Sequence, residues 1–160
     1  LYEFDGGRGR VSRTYSEEDA QWLAAHLVLV ELPEGHDSRA ILSSVKSVGD
    51  LQTAYDAVDV AESAIRDRDL HALGNALKMG QFSKRNITGA VTSDVFSFVN
   101  EVERVPGVHG CKVAGAGGGG HLVVAHNGSE EVVSRIRSAT RLPIRLVKPD
   151  FVGVRSEGWL

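Results

Sequence analysis

The sequence predicts an α+β domain, on three observations. Apolar runs rich in β-branched residues stand at His26–Leu32, at Gly110–Ala114 with His121–His126, and at Leu142–Val147. Between the first and second of these, apolar residues recur at three-and-four spacing, the period of a helix with one buried face. The 160 residues are 42% hydrophobic and 24% charged, which is enough length and apolar content for one core without disulfide or metal staples. No internal repeat or low-complexity linker divides the chain, so residues 21–160 read as one domain and residues 1–20 as strands or linker of a neighbouring one.

Each element has a local reason. Leu1–Asp5 and Arg8–Tyr15 alternate loosely around Gly6-Gly7, as two short hairpin strands would. Ser16 before Glu17, Glu18 and Asp19 is an N-cap with acids over a first turn, opening a turn or short helix through Trp22 and Leu23. His26–Leu32, closed by Pro33, is expected to be a central strand. Ser38 can cap a helix over Arg39–Ser47. A longer helix from about Asp50 to Arg66 carries Leu51, Ala54, Tyr55, Val58, Ala61, Glu62 and Ile65 at helical spacing. Asp69 caps the next, Leu70–Phe82, whose buried stripe is Leu70, Leu73, Leu77 and Gly80 or Gln81; the short joint Asp67-Arg68-Asp69 implies an antiparallel pair. Thr92-Ser93-Asp94 starts a helix bearing Val95, Phe96, Val99 and Val102 that ends before Pro106-Gly107. Ser129–Ala139 is a last helix, between the final two strands.

Composition narrows the function. With 18 Lys+Arg against 21 Asp+Glu the net charge is -3, which argues against electrostatic wrapping of nucleic acid. The single cysteine, Cys111, makes no internal disulfide and reads as a buried strand residue; no apolar run reaches the ~20 residues of a membrane helix. The start shows no signal peptide, so a soluble cytoplasmic protein is expected. The sequence opens at Leu1 in what reads as mid-strand, so a longer parent chain is expected too.

Five of the glycines fall within six positions, as Gly115-Ala116-Gly117-Gly118-Gly119-Gly120. The spacing satisfies G-x-G-x-x-G, but that fingerprint must open a helix, and Leu122-Val123-Val124 is strand-like. A Walker A loop would need Lys and Ser or Thr where His121 and Leu122 stand. What remains is a loop almost bare of side chains between two strands. Ordering so much glycine costs entropy unless backbone must approach something closely or adopt positive φ repeatedly. Successive N–H groups in such a turn form an anion-binding concavity; a floppy hairpin is the plain alternative.

Lys112-Val113-Ala114 followed by this hexapeptide and a β-run resembles the third conserved motif of the galactokinase, homoserine kinase, mevalonate kinase and phosphomevalonate kinase (GHMP) superfamily. The strand at His26–Leu32, Ser38-Arg39, Ile41-Leu42, the helix pair and Lys84-Arg85 ahead of Thr92-Ser93 look like the sugar-phosphate branch, closest to D-glycero-D-manno-heptose 7-phosphate kinases. The likeness covers residues 25–155 and implies the C-terminal domain of such an enzyme, an antiparallel sheet covered by helices in a ferredoxin-like arrangement. It implies ATP-dependent phosphoryl transfer to a sugar or sugar-phosphate hydroxyl, with Mg²⁺ bridging the phosphates. On that resemblance Gly115, Ala116, Gly117, Gly118, Gly119 and Gly120 border the nucleotide phosphates, and Lys112 fixes the strand. The family's Gly-Leu-Ser-Ser-like phosphate loop has no counterpart here, since Ser43-Ser44 lacks flanking glycines; its catalytic aspartate and lysine are likewise unplaced. The chain alone is therefore expected to be inactive, completed by an N-terminal kinase half. The rival expectation is a free-standing, non-catalytic domain that binds an anionic metabolite or a partner chain.

Other residues have two readings each. Arg39, beside Ser38, suits a substrate phosphate or is a solvated first-turn arginine. Lys84 and Arg85 face the same anion or complement a helix C-terminus. His109 and His121 flank the loop without paired acids or cysteines at metal-ligand spacing, and Trp22 and Trp159 mark surfaces a missing half would cover.

Overall fold

The computed structural model of the chain describes residues 2–5, 8–11, 15–33, 52–88, 93–115 and 119–151. Strands β1 (Tyr2–Asp5) and β2 (Arg8–Val11) pair antiparallel as the expected hairpin. Helix α1 runs Glu17–His26, longer than its sequence suggested: Ser16 Oγ accepts from Asp19 N at 3.1 Å, and the Asp19 carboxylate accepts from Ser16 N at 3.0 Å. This reciprocal cap draws the Asp19 carboxyl below its ordinary value, chiefly through the Ser16 bonds. His26 ends the helix instead of opening the strand, because its Nδ1 donates to Trp22 O at 2.8 Å and its ring tilts onto Trp22. Strand β3 is then Leu27–Glu31.

Helices α2 (Gln52–Asp67) and α3 (Leu70–Thr88) follow, with Asp69 accepting from Ala72 N at 3.0 Å as the expected cap of α3. The buried face of α2 is set by Ala57 and Ala64; Tyr55 and Val58, expected on its apolar stripe, are exposed. Small residues win that face because they let α2 lie close along α3. Helix α3 continues six residues past Phe82. Helix α4 (Ser93–Glu103), strand β4 (Val108–Val113), strand β5 (His121–His126), helix α5 (Glu130–Thr140) and strand β6 (Ile144–Leu146) complete the order. The helix expected over Arg39–Ser47 lies outside the described residues. No helix among the described residues is long and apolar enough to cross a membrane.

The strands β4-β5-β3-β6 form one sheet with every neighbour antiparallel, so β3 is central, as expected. This is the ferredoxin-like order: first strand in the middle, third and fourth on either side, second outermost. One face carries Val28, Val30, Cys111, Val113, Leu122 and Val124, packed against Val95, Val99 and Val102 of α4 and Val132 and Ile136 of α5. Burial pushes the Cys111 thiol far up, so it is a core residue and not a nucleophile. The opposite face of β4 takes α3, with α2 outside it.

That second layer depends on two absent β-carbons. A Cβ on Gly110 would stand 2.1 Å from the Gly74 carbonyl oxygen, and one on Gly74 would stand 2.5 Å from that of His109. Backbone therefore meets backbone where α3 crosses β4. Gly110→Ala is expected to force α3 off the sheet at a cost of roughly 3 kcal/mol, lowering the thermal midpoint by about 10 °C. An unchanged midpoint in a melting scan would show the layer is not held at that point.

Four histidines, His26, His71, His109 and His126, gather at the end of the sheet away from the glycine segment. His71 and His109 meet edge to face at 6.3 Å, and His126 Nδ1 accepts from Gly128 N at 3.2 Å. Burial first, then His71, Lys78 and His26, hold His109 below the ordinary imidazole value despite Asp69; burial, His26 and His109 do the same to His126. The unfolded chain then binds more protons than the folded one once pH falls below about 6.5, so stability declines with acid. Urea midpoints are expected to drop between neutrality and mild acid in the native protein and to flatten when both His109 and His126 are changed to Gln.

Candidate functional site

The glycine segment joins the ends of β4 and β5. Its base is closed by Ala114 N donating to His121 O at 2.8 Å. Gly120 O accepts from Leu32 N at 2.8 Å, tying the segment to the end of β3. Gly115, Gly119 and Gly120 have φ of 67°, 148° and 89°, the left-handed region that side chains disfavour. Among the described residues nothing stands within 4 Å of a Cβ built at Gly115 or Gly120, so conformation and not crowding requires glycine, and those residues leave the space above this backbone open. Ala116, Gly117 and Gly118 lie outside the described residues.

Helix α3 holds the strand that feeds this turn. Gln81, buried, uses Oε1 to accept from Val113 N at 2.9 Å. Lys84 Nζ donates to Val113 O at 2.9 Å and to Gly115 O. Both polar groups of one peptide position on the outermost strand are thus satisfied from α3, as buried backbone requires. Lys112, on the α3 side of β4, passes Gly80 and brings Nζ to 3.4 Å from the same Val113 oxygen. Desolvation, then the Lys112 charge, push the Lys84 amine down to about 8.

On the same sheet end, Glu31 of β3 lies opposite His121 of β5, with His121 Nε2 3.9 Å from Glu31 Oε1; Arg145 of β6 pairs with the same carboxylate. On the core side a cleft of about 290 Å³ opens beside the segment, lined by Leu32, Pro33, Asp94, Val95, Ser97 and Phe98. A pinned turn with open space above it, two amines on one flank and a largely apolar cleft on the other can hold an anionic group next to an uncharged one.

The site residues named from sequence separate as follows. The structure brings Gly115, Gly119, Gly120, Lys84 and Lys112 together. Lys84 stands inside α3 and not at its end, with its amine turned to the turn's carbonyls. Arg85 follows it on the helix backbone, its side chain outside the description, and Ser38 and Arg39 are outside the described residues. The parts that sequence reading missed are the Gln81 bond and the Glu31 cluster. A glutamine on a stripe of otherwise apolar positions was the available signal for the first; the second needed the strand register.

No protein-family model matches the chain, and no curated protein sequence does. Solved structures do. A mevalonate kinase crystal structure shares the fold over 90% of this chain and 45% of its own, with TM-score 0.63 and 16% identity. The mevalonate kinase of Methanococcus jannaschii matches over 92% of this chain and 47% of its own, with TM-score 0.65 and 17% identity. The Lactococcus lactis galactokinase complexed with galactose matches over 71% and 40%, with TM-score 0.55 and 15% identity. These are GHMP-family kinases, the likeness is one of fold, and this chain spans less than half the length of each.

The Gln81 bond gives a local prediction. Gln81→Met leaves the Val113 amide buried without an acceptor, at a cost of about 2 kcal/mol. Hydrogen exchange at Val113 and Ala114 should accelerate well beyond that at β5; equal acceleration everywhere would mean the bond does not serve the turn.

Proposed function

We propose that this chain is the C-terminal half of a GHMP-type kinase that moves the γ-phosphate of ATP to a hydroxyl of a sugar or sugar phosphate in the cytoplasm. The carrying observation is the glycine segment, fastened at both ends while its positive-φ backbone faces open space. The K-x-x-G-A-G-G-G-G pattern and the fold shared with mevalonate kinase and galactokinase structures support the same reading. The finer placement, next to heptose 7-phosphate kinases, rests on the sequence pattern of residues 26–93.

Phosphoryl transfer asks the protein mainly for positioning and for charge placed where the transferred group passes. The turn supplies backbone that a phosphate can approach without side chains in the way. Lys84 and Lys112 supply positive charge beside it, and the cleft under Leu32 and Phe98 forms part of the acceptor pocket. Ser38 and Arg39, with Lys84 and Arg85, are the residues of this chain assigned to an acceptor phosphate. ATP fits this setting, since its phosphates meet amines and bare amide backbone. Mg²⁺ does not fit the described residues: they hold no group of three His, Cys, Asp or Glu that could take a metal, and two amines flank the turn. Its ligands, the nucleotide's own phosphate loop and the proton-accepting residue are assigned to the N-terminal half, of which residues 1–20 are the end.

The test is acceptor-dependent ADP formation by the full-length protein given ATP, Mg²⁺ and a panel of sugars, sugar phosphates, mevalonate and homoserine. A sugar or sugar phosphate should be turned over, and Gly120→Val should lower kcat/KM about 100-fold without unfolding the protein. Turnover indifferent to Gly120→Val would remove the turn from the reaction. No phosphoryl transfer to any acceptor, with anions still bound, would establish the free-standing anion-binding module instead.

A further inference from the structure

Lys84 and Lys112 reach one carbonyl from two elements. The Lys84 stem rises from α3 and is half-buried, with Nζ on Val113 O and Gly115 O. Lys112 leaves β4 toward the same helix, and its Cδ and Cε slide over Gly80, where a Cβ would stand 3.0 Å from each. Its Nζ then stops 3.4 Å from the Val113 oxygen. Two ammonium groups on a single acceptor repel, and a neighbouring anion is what turns that arrangement from a cost into a gain. The turn beside them opens its backbone to space rather than to protein at Gly115 and Gly120.

We propose that Lys84 and Lys112 form a proton-linked seat for a phosphate group at the entrance to the Gly115–Gly120 segment. Lys112 brings a standing charge, and Lys84 completes its own by taking a proton from solvent as the anion arrives. The lowered affinity of Lys84 for its proton supports this from a second direction. Burial is its first cause and the charge of Lys112, facing it from β4, the second. An anion reverses the Lys112 repulsion and so raises the proton affinity, which by linkage makes binding take up a proton above neutrality. The inference deepens the kinase reading, and rests on it only for where the phosphate comes from.

Calorimetry on the full chain decides it, with magnesium-free ATP and, separately, a hexose 6-phosphate as probes, each in two buffers of different ionisation enthalpy. Both ligands carry monoester or terminal phosphates that are already fully ionised near pH 9, so proton uptake reports the protein. Uptake should approach one proton per ligand at about pH 9 and be several-fold smaller at about pH 7. Lys84→Arg should still bind while uptake vanishes; Lys84→Met should bind at least tenfold more weakly. Uptake with ATP assigns the seat to the nucleotide, and uptake with the hexose phosphate assigns it to the acceptor. Binding without uptake, uptake that survives Lys84→Arg, or binding of neither probe overturns the proposal. Failure here with ADP formation intact removes the seat and leaves the kinase reading; uptake without any phosphoryl transfer does the reverse.

Discussion

Helix α3 can lie on β4 only where Gly74 and Gly110 take two β-carbons out of the same spot. A carbonyl oxygen 2.1 Å from a would-be Cβ leaves no room for adjustment, since the obstacle is backbone and not the end of a mobile side chain. The contact sets the height of α3 above the sheet. At that height, about two turns further along, Gln81 and Lys84 are just long enough to reach the peptide groups of Val113. The turn that follows inherits its starting direction from a helix far from it in sequence. A local glycine motif is in this sense tertiary: its φ values are local, but its aim is supplied by α3 on one side and by Leu32 on the other.

The two faces of the sheet do different work. The α4 and α5 side is dry and aliphatic, with Val102, Leu122, Val124 and Ile136 fully buried, and it supplies the apolar burial that offsets chain entropy. The α3 side carries the residues that interrupt such packing: Gly110, Lys112, and at the same end of neighbouring strands His121, Glu31 and Arg145. Charge at this face is placed by strand alternation, since the side chains between these on each strand point into the core. Lys112 is therefore held near the turn by the same period-two pattern that builds the core, and Lys84 by the helix laid over it.

Most of the architecture was legible because hydrophobic period and cap chemistry agree along the chain. Ser16, Asp69 and Ser129 each stand where a helix begins, and the glycines separate two strands as expected, His121–His126 with the same bounds and Gly110–Ala114 as Val108–Val113. The misses have physical causes. His26 looked like a strand residue from composition, but a side-chain bond back to Trp22 O keeps it in the last helical turn. Tyr55 and Val58 looked like core, but alanines won the α2–α3 contact because close approach of two helices favours small side chains. Lys84 read better as a cation complementing a helix C-terminus than as an anion ligand; only the extra turns of α3 and the register of β4 reveal that it turns inward. The glycine hexapeptide was found from sequence and its fastening was not, because Leu32, Gln81 and Lys84, which hold it beyond the local Ala114–His121 bond, are distant in the chain.

Strand β4 is the outermost strand on its side, and open sheet borders invite pairing with other chains. Here the Val113 amide is already occupied by a helix side chain, so an incoming strand would find that position taken. The other border is only Ile144–Leu146, preceded by Pro143 and bearing the charged Arg145. Both margins of the sheet are thereby blunted, one by a glutamine and a lysine from above and one by brevity and charge. The domain can open positive-φ backbone at Gly115 and Gly120 without offering the adjoining strands as a template for aggregation.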